Sequence, residues 1–508
     1  MTVTTRFRPC APDDRPAAQE QLAWKLAELA FAPRPVDAQA AKLAGLRLID
    51  AVGIAVAALN RAPVAAARGA AMCFGAGQGA RLIGLGEDQR VHCTWAAYAN
   101  ATAVRELDFH DSFFALDSSH PADCMMSLLA VAQQFGCRGD DLLRGILVSY
   151  EVQTALVTAL PLQRHRIDHL AHLGPAIAAG LGAMLHLPKA VSYEAINLAA
   201  YLSLSTRQLR KGRISSWKAA APGHVGKTAI EAVDRALRGE SAPSPIYEGD
   251  YGILAVLLGG AEAELHLPSP DQPCRAILST LPKAHSAGYH GQAIIDLALR
   301  LHGRNLNLAA IKSVTLHTKR MTHMVMGSGS GDPDKWDPAA SRETLDHSAP
   351  FQFARALVDG FWHHERSYDP SRIAEPDFVA LWRKVATLED DAWNQRFDRA
   401  APLDKDHGAR AVITYQNGAQ DEMSLAVADS HPKGAAPWTA KDYLAKFDNL
   451  TASAVSAPQR AAFLAAAQNL GGLGVEQLFS LGVTADLITL QSGPSGLFDR
   501  PATKAPVT

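Results

Sequence analysis

Apolar positions recur at three- and four-residue spacing along most of the first half of the chain. Leu43, Leu46, Ile49, Val52 and Val56 set the pattern, which is that of a helix with one buried face. Segments 122–136, 141–159, 170–186, 188–206 and 223–238 repeat it. Several are rich in Ala, the best helix former and small enough for close helix packing. The breaks fall at Pro63, Gly136 and Gly139, Leu187-Pro188 and Pro222-Gly223, residue types that interrupt or end helices. From about residue 18 to 260 the pattern predicts helix almost throughout.

The texture changes after about 265. Pro268, Pro270, Pro273 and Pro282 form a broken stretch suited to a boundary. Ile311 to Thr318 alternates apolar and polar residues like a half-buried strand. Ala409 to Tyr415 and Glu422 to Val427, joined through Asn417-Gly418, read as a hairpin with favoured turn residues. Residues 290–303, 348–360 and 375–388 read as helices, and helical pattern returns at 439–449, 456–470 and 473–482. The fold class this predicts is mainly α with an α+β second domain. Residues 1–270 form the first part of a large all-helical domain, 271–435 a smaller α+β lid domain, and 436–490 C-terminal helices packing back on the first domain. The tail 491–508 holds Gly, Pro and Ser with little to bury and is expected to be disordered.

Composition narrows the function classes. The 508 residues are 48% hydrophobic and 20% charged with net charge −2, so neither nucleic acid nor an anionic membrane surface is an expected partner. The longest apolar runs, such as Ile49 to Leu59, are interrupted by Asp50 and Gly53 and fall short of the roughly 20 residues of a membrane span. Met1 to Gln19 carries three Arg beside Asp13 and Asp14 without an apolar stretch, unlike a signal peptide. The six Cys (10, 73, 93, 124, 137, 274) include no C-x-x-C pair. That argues against a zinc ribbon, an iron–sulfur cluster or a compact disulfide framework. A soluble cytoplasmic protein is the expectation.

Titratable residues cluster where helices are predicted to begin. Asp108-Phe109-His110-Asp111-Ser112 is followed by His120-Pro121-Ala122-Asp123, so four Asp and two His stand between residues 108 and 123. Buried acids and imidazoles cost free energy unless paired, which makes this stretch either a solvated loop or an acid/base site. Asp168-His169, with His165 and His172 nearby, precedes the next helix. Arg210-Lys211-Gly212-Arg213 leads into Ser215-Ser216-Trp217-Lys218. Lys283, His285, Tyr289, His290 and Gln292 crowd another helix start, and Arg342-Glu343-Thr344 and Asp346-His347-Ser348 precede a fourth. Plain alternatives exist: Asp123, Asp168 and Ser348 as helix caps worth ~1 kcal/mol, and the basic run, Lys211 included, as a solvated face. Lys218 beside Trp217 at a Gly-containing helix start is better placed to hold a carboxylate. No metal-ligand spacing, G-x-G-x-x-G, P-loop or G-x-S-x-G is present. Acids, imidazoles and cations suit proton abstraction α to a carboxylate of a polyanionic acid.

Four stretches carry a family resemblance. They are the run from Asp108 through the following helix (DFHDSFFALDSSHPADCMMSLLAVAQ), RKGRISSWK, IYEGDYG at 246–252 and KWDPAASRETLDHSAPF at 335–351. Together they resemble the MmgE/PrpD family over about residues 20–480. The resemblance implies a helical domain plus an α+β lid with the active site between them. It implies Asp108, His120, His169 and Lys218 as catalytic, and Ser112, Lys283, His290 and Gln292 as substrate-binding residues. The activity implied is that of a cofactor-independent, metal-free lyase acting on a tricarboxylic hydroxy acid, foremost dehydration of 2-methylcitrate. Asp108 or His169 would be the base, His120 the acid, and Lys218, Lys283 and His290 would hold carboxylates. A decarboxylase of the cis-aconitate type or an epimerase are the alternatives within the family, and a non-catalytic carboxylate-binding protein is the alternative outside it. The expected partner is a small-molecule polycarboxylate, and the expected assembly a homodimer. Ala219, Ala220, Gly291 and Phe351 depart from residues common in the family.

Overall fold

The computed structural model describes residues 2–486 and 490–499. Helices α1 (Leu22–Phe31), α2 (Ala38–Ala57), α3 (Ala62–Met72), α4 (Cys93–Glu106), α5 (Met125–Phe135), α6 (Gly139–Ala159), α7 (Leu170–Met184), α8 (Lys189–Leu202) and α9 (Trp217–Leu237) surround one apolar core. α7 is buried along its whole length and packs against α6, α8 and α9. Its Ala- and Gly-rich sequence lets those neighbours approach from several sides. Short strands decorate this body: β1 (Thr2–Phe7), β2 (Gly75–Arg81), β3 (Arg90–Val91), β4 (Phe113–Phe114), β5 (Ser118–Ser119) and β6 (Ala263–Pro268). β1 pairs antiparallel with β6, from Thr2 opposite Pro268 to Phe7 opposite Ala263.

The second domain follows. It comprises α10 (Gln292–His302), β7 (Ile311–Thr318), α11 (Arg320–Met326), α12 (Arg342–Leu345), α13 (Ala349–Asp359), α14 (Pro370–Ile373), α15 (Pro376–Trp382), β8 (Val385–Glu389), α16 (Asp391–Asp398), β9 (Ala409–Tyr415) and β10 (Gln420–Leu425). Its sheet runs β10-β9-β7-β8, with β7 and β8 parallel and the other pairs antiparallel. Ile294, Val314, Phe351, Trp382 and Ile413 belong to its separate core. The chain then returns, and α17 (Ala440–Thr451) and α18 (Ala457–Gln468) place Phe447 and Phe463 in the first core. A Cβ at Gly45 of α2 would overlap the carbonyl oxygen of Ala467, so glycine is what admits the α18 backbone there.

Four local expectations are corrected. The break at Pro222-Gly223 is absent, because α9 begins at Trp217 and runs through Pro222. A proline this near a helix start forfeits one bond, to the Lys218 carbonyl, and packing against α4, α7 and α8 outweighs it. The helix expected over 375–388 stops at Trp382, since Val385–Glu389 alternates buried and exposed and pairs with β7. The segment 473–482 is only a 3-10 turn at Glu476–Leu481. Of the tail, 500–508 lies outside the described residues. Within 490–499 the Gln491 amide donates to Asn60, and Phe498 packs edge-on against Phe74 and Trp95. Among the described residues no single helix is long and apolar enough to cross a membrane.

Candidate active site

A cavity of about 990 Å³ lies between the helical domain and the lid. His120, His169, Arg207 and Arg210 line it from one side and His290 and His347 from the other. His120 follows the β4–β5 hairpin and opens a short helical turn over Pro121–Cys124. Its Nδ1 lies 2.8 Å from the Asp111 carbonyl oxygen and 3.1 Å from Ser112 Oγ. A carbonyl oxygen only accepts, so Nδ1 carries the proton and Nε2 is a free lone pair. Asp111 is itself anchored: Tyr150 Oη donates to its carboxylate at 2.9 Å, the Ala122 amide donates at 3.0 Å, and Arg47 lies 3.6 Å away. Burial, helped by the charges of Arg105 and Lys283, holds His120 well below the usual imidazole range despite the pull of Asp108.

His169 carries its proton on the same ring nitrogen, for a different reason. Arg210 Nη2 lies 2.9 Å from its Nε2, and a guanidinium only donates, so the ring proton sits on Nδ1. That Nδ1 is buried and has no partner among the described residues. Burial pushes His169 down to about 3, with Arg210 adding to the effect against Asp168. Arg210 is held in turn by Asp168 through Nε (2.7 Å) and Nη2 (3.3 Å), while Asp168 also accepts from the Leu170 amide at 3.2 Å. Asp168 is therefore a cap and the anchor of a cation at once. The two imidazole rings stand 5.3 Å apart.

Behind the cavity wall lies a charged cluster. Asp108 follows α4 with φ +47°, a left-handed conformation that costs a non-glycine residue about 1 kcal/mol or more. Its carboxylate meets Arg105 at 3.4 Å, Lys218 at 3.0 Å, Lys283, and His347 at 3.7 Å. Burial alone would raise the Asp108 carboxyl, but Arg105, Lys218 and Lys283, with a smaller contribution from His347, hold it far below the usual carboxylate range. Lys218 also reaches Asp346 of the lid at 2.6 Å. Asp108, Asp346 and His347 offer ligand atoms within 4.8 Å of one another, a spacing a metal ion could use. The Lys218 ammonium already stands among them, so a divalent cation would meet a positive charge, and the donor set does not fit one.

The structure thus gathers His120, His169 and His290 at the cavity, where burial and Lys319 hold His290 well below its ordinary range. Asp108, Lys218 and Lys283 are at most 2% exposed and sit behind it, tied to each other rather than open to a ligand. Ser112 is buried against His120 and pairs through its backbone with Leu281. Gln292 is turned away: its amide accepts from the His285 amide and donates to the carbonyls of His285 and Ala287, so it braces that loop instead of binding substrate. Lys211, its side chain half exposed, also reaches the lid, pairing with Asp332 at 2.5 Å and donating to the Ser330 carbonyl. Phe351 packs in the lid core against Phe378 and Trp382 and does not line the cavity. Sequence reasoning missed Arg207 and Arg210 as site residues. The only signal for Arg210 was the basic character of the run it opens, and Arg207 lies ahead of that run and carried none.

The sequence comparisons agree with this architecture. Residues 20–266 match the MmgE/PrpD N-terminal domain and residues 285–471 the MmgE/PrpD C-terminal domain. The chain belongs to the MmgE/PrpD family. Among curated relatives, 2-methylcitrate dehydratase, mitochondrial, of Yarrowia lipolytica is 25% identical over 350 residues, 66% of this chain and 65% of that protein. 2-Methylcitrate dehydratase of Cupriavidus necator is 23% identical over 339 residues, 64% of this chain and 68% of that protein. The Escherichia coli K12 2-methylcitrate dehydratase is 23% identical over 317 residues, 59% of this chain and 63% of that protein. The match to the first of these spans just under two thirds of its length.

Proposed function

We propose that the protein is a dehydratase of β-hydroxy polycarboxylates, with 2-methylcitrate as the first candidate substrate and 2-methyl-cis-aconitate and water as products. The observation that carries this reading is the pair of neutral imidazoles at one cationic cavity, one with its Nε2 lone pair bare and the other with Nε2 engaged by Arg210 and its Nδ1–H unpartnered. His120, with Nε2 bare, is the base that takes the proton α to a carboxylate. His169 offers its Nδ1–H to the departing hydroxyl. The C–H and C–O bonds break, a C=C bond forms, and the imidazolium of His120 returns its proton to the hydroxyl, which leaves as water. This reverses the roles read from the sequence. Asp108 is clamped by Arg105, Lys218 and Lys283 and His169 Nε2 is occupied by Arg210, so neither is free to act as base.

Arg207 and Arg210 supply the positive charge that favours a carboxylate whose α-carbon is losing a proton. Asp108, Lys218 and Lys283 support the site from behind. The relatives' names, all dehydratases of 2-methylcitrate, favour elimination over decarboxylation. Incubation with 2-methylcitrate, citrate and cis-aconitate, followed by ultraviolet absorbance and product analysis, tests it. A conjugated tricarboxylate formed from the hydroxy acids supports the reading, and carbon dioxide release from cis-aconitate alone would replace it with a decarboxylase.

A further inference from the structure

The cavity has two chemically different walls. On the helical side Arg207 and Arg210 present cations. On the lid side α11 contributes Met321, Met324, Val325 and Met326, and Phe114 and Leu116 line the same space. Met324 and Leu116 are each 49% exposed, so large apolar side chains are left uncovered inside a cleft rather than packed. At about 990 Å³ the cavity stands at the top of the roughly 300–1,000 Å³ range of small-molecule sites, more than a methyl-substituted tricarboxylate fills. Methionine is unbranched and adapts its shape to flexible apolar ligands.

We infer that the site takes a polycarboxylate bearing an alkyl chain longer than methyl, its carboxylates on the arginine wall and its chain on the methionine wall. The inference rests on the polycarboxylate reading above and extends it to the substituent. Each methylene moved from water onto this wall should tighten binding about fourfold, equivalent to about 0.8 kcal/mol.

Calorimetric titration of the full chain with propane-1,2,3-tricarboxylate and its 2-methyl, 2-ethyl, 2-propyl and 2-butyl derivatives is the test. These ligands lack the leaving hydroxyl, so binding is read without turnover. The affinity is expected to rise about sixtyfold from methyl to butyl. The Met324→Asn/Leu116→Asn variant should lose most of that gradient, whatever its affinity for the methyl compound. Both side chains are half exposed, and an unchanged thermal midpoint verifies folding. A flat or falling series in the unmodified protein overturns the inference, as does a gradient that survives in the double variant. If even the unsubstituted tricarboxylate fails to bind, the polycarboxylate reading itself falls and takes the inference with it.

Discussion

Arg210 decides which nitrogen of His169 carries the proton, and Asp168 decides where Arg210 points. In Arg210→Met the His169 imidazole should rise partway from its depressed value, since burial, the larger cause, remains while Asp168, 3.9 Å away, still favours the charged form. The kcat/KM is then expected to fall roughly a hundredfold, the low end of what one positioned hydrogen-bond donor contributes. The acid limb of its pH profile should move to higher pH than in the parent, and an unaltered profile would show that Arg210 does not act through His169. His120 and His169 were legible because polar clusters at helix starts are costly without a use. A basic run is ordinarily a solvated face, and only the folded chain shows Arg210 paired with Asp168, 42 positions away. Lys218 could be recognised as important, but which way it faces depends on Asp346, supplied by the other domain.

The helices α4 and α9 deliver Asp108 and Lys218 to one point, and their close approach is set by a glycine. A Cβ at Gly223 would collide with the Tyr98 carbonyl, backbone against side chain with little room to yield. Gly223→Ala should therefore cost about 1–3 kcal/mol in urea unfolding, and a neutral result would mean the helices can separate freely. Lys218 joins a carboxylate of each domain, so Lys218→Met strands buried charge and is expected to destabilise by about 3 kcal/mol or more. Adding Asp346→Asn should cost less than the sum of the single changes, and simple additivity would argue against a shared cluster. The long helices could be read from the sequence because apolar periodicity is a local signal sustained over several turns. β1 could not, since its partner β6 lies some 260 residues away. β8 was read as helix because its strand character comes from pairing with β7.

For the whole molecule, the buried imidazoles set an acid limit to stability. Burial holds His169 down to about 3 and His347, His364 and His431 to about 4, with His120, His290 and His407 also well below their ordinary range. The unfolded chain binds protons at these groups from about pH 6.5 downward, while the folded one does not until near pH 4. Stability is thus full above about pH 6.5 and is lost as the pH falls toward 4, by up to about 1.4 kcal/mol per pH unit for each group. Glu106, Glu151 and Glu248, pushed up by burial, act in the opposite sense but are fewer. Urea unfolding at pH 7, 6 and 5 should show the decline, and a flat series would contradict it. The central claim, a metal-free elimination with His120 as base, is tested most directly by following ultraviolet absorbance of the protein with 2-methylcitrate in excess EDTA. The account predicts steady formation of the conjugated tricarboxylate, slowed roughly a hundredfold to ten-thousandfold in His120→Gln at an unchanged thermal midpoint. Turnover that EDTA abolishes and a divalent metal restores, or that His120→Gln leaves intact, would contradict it.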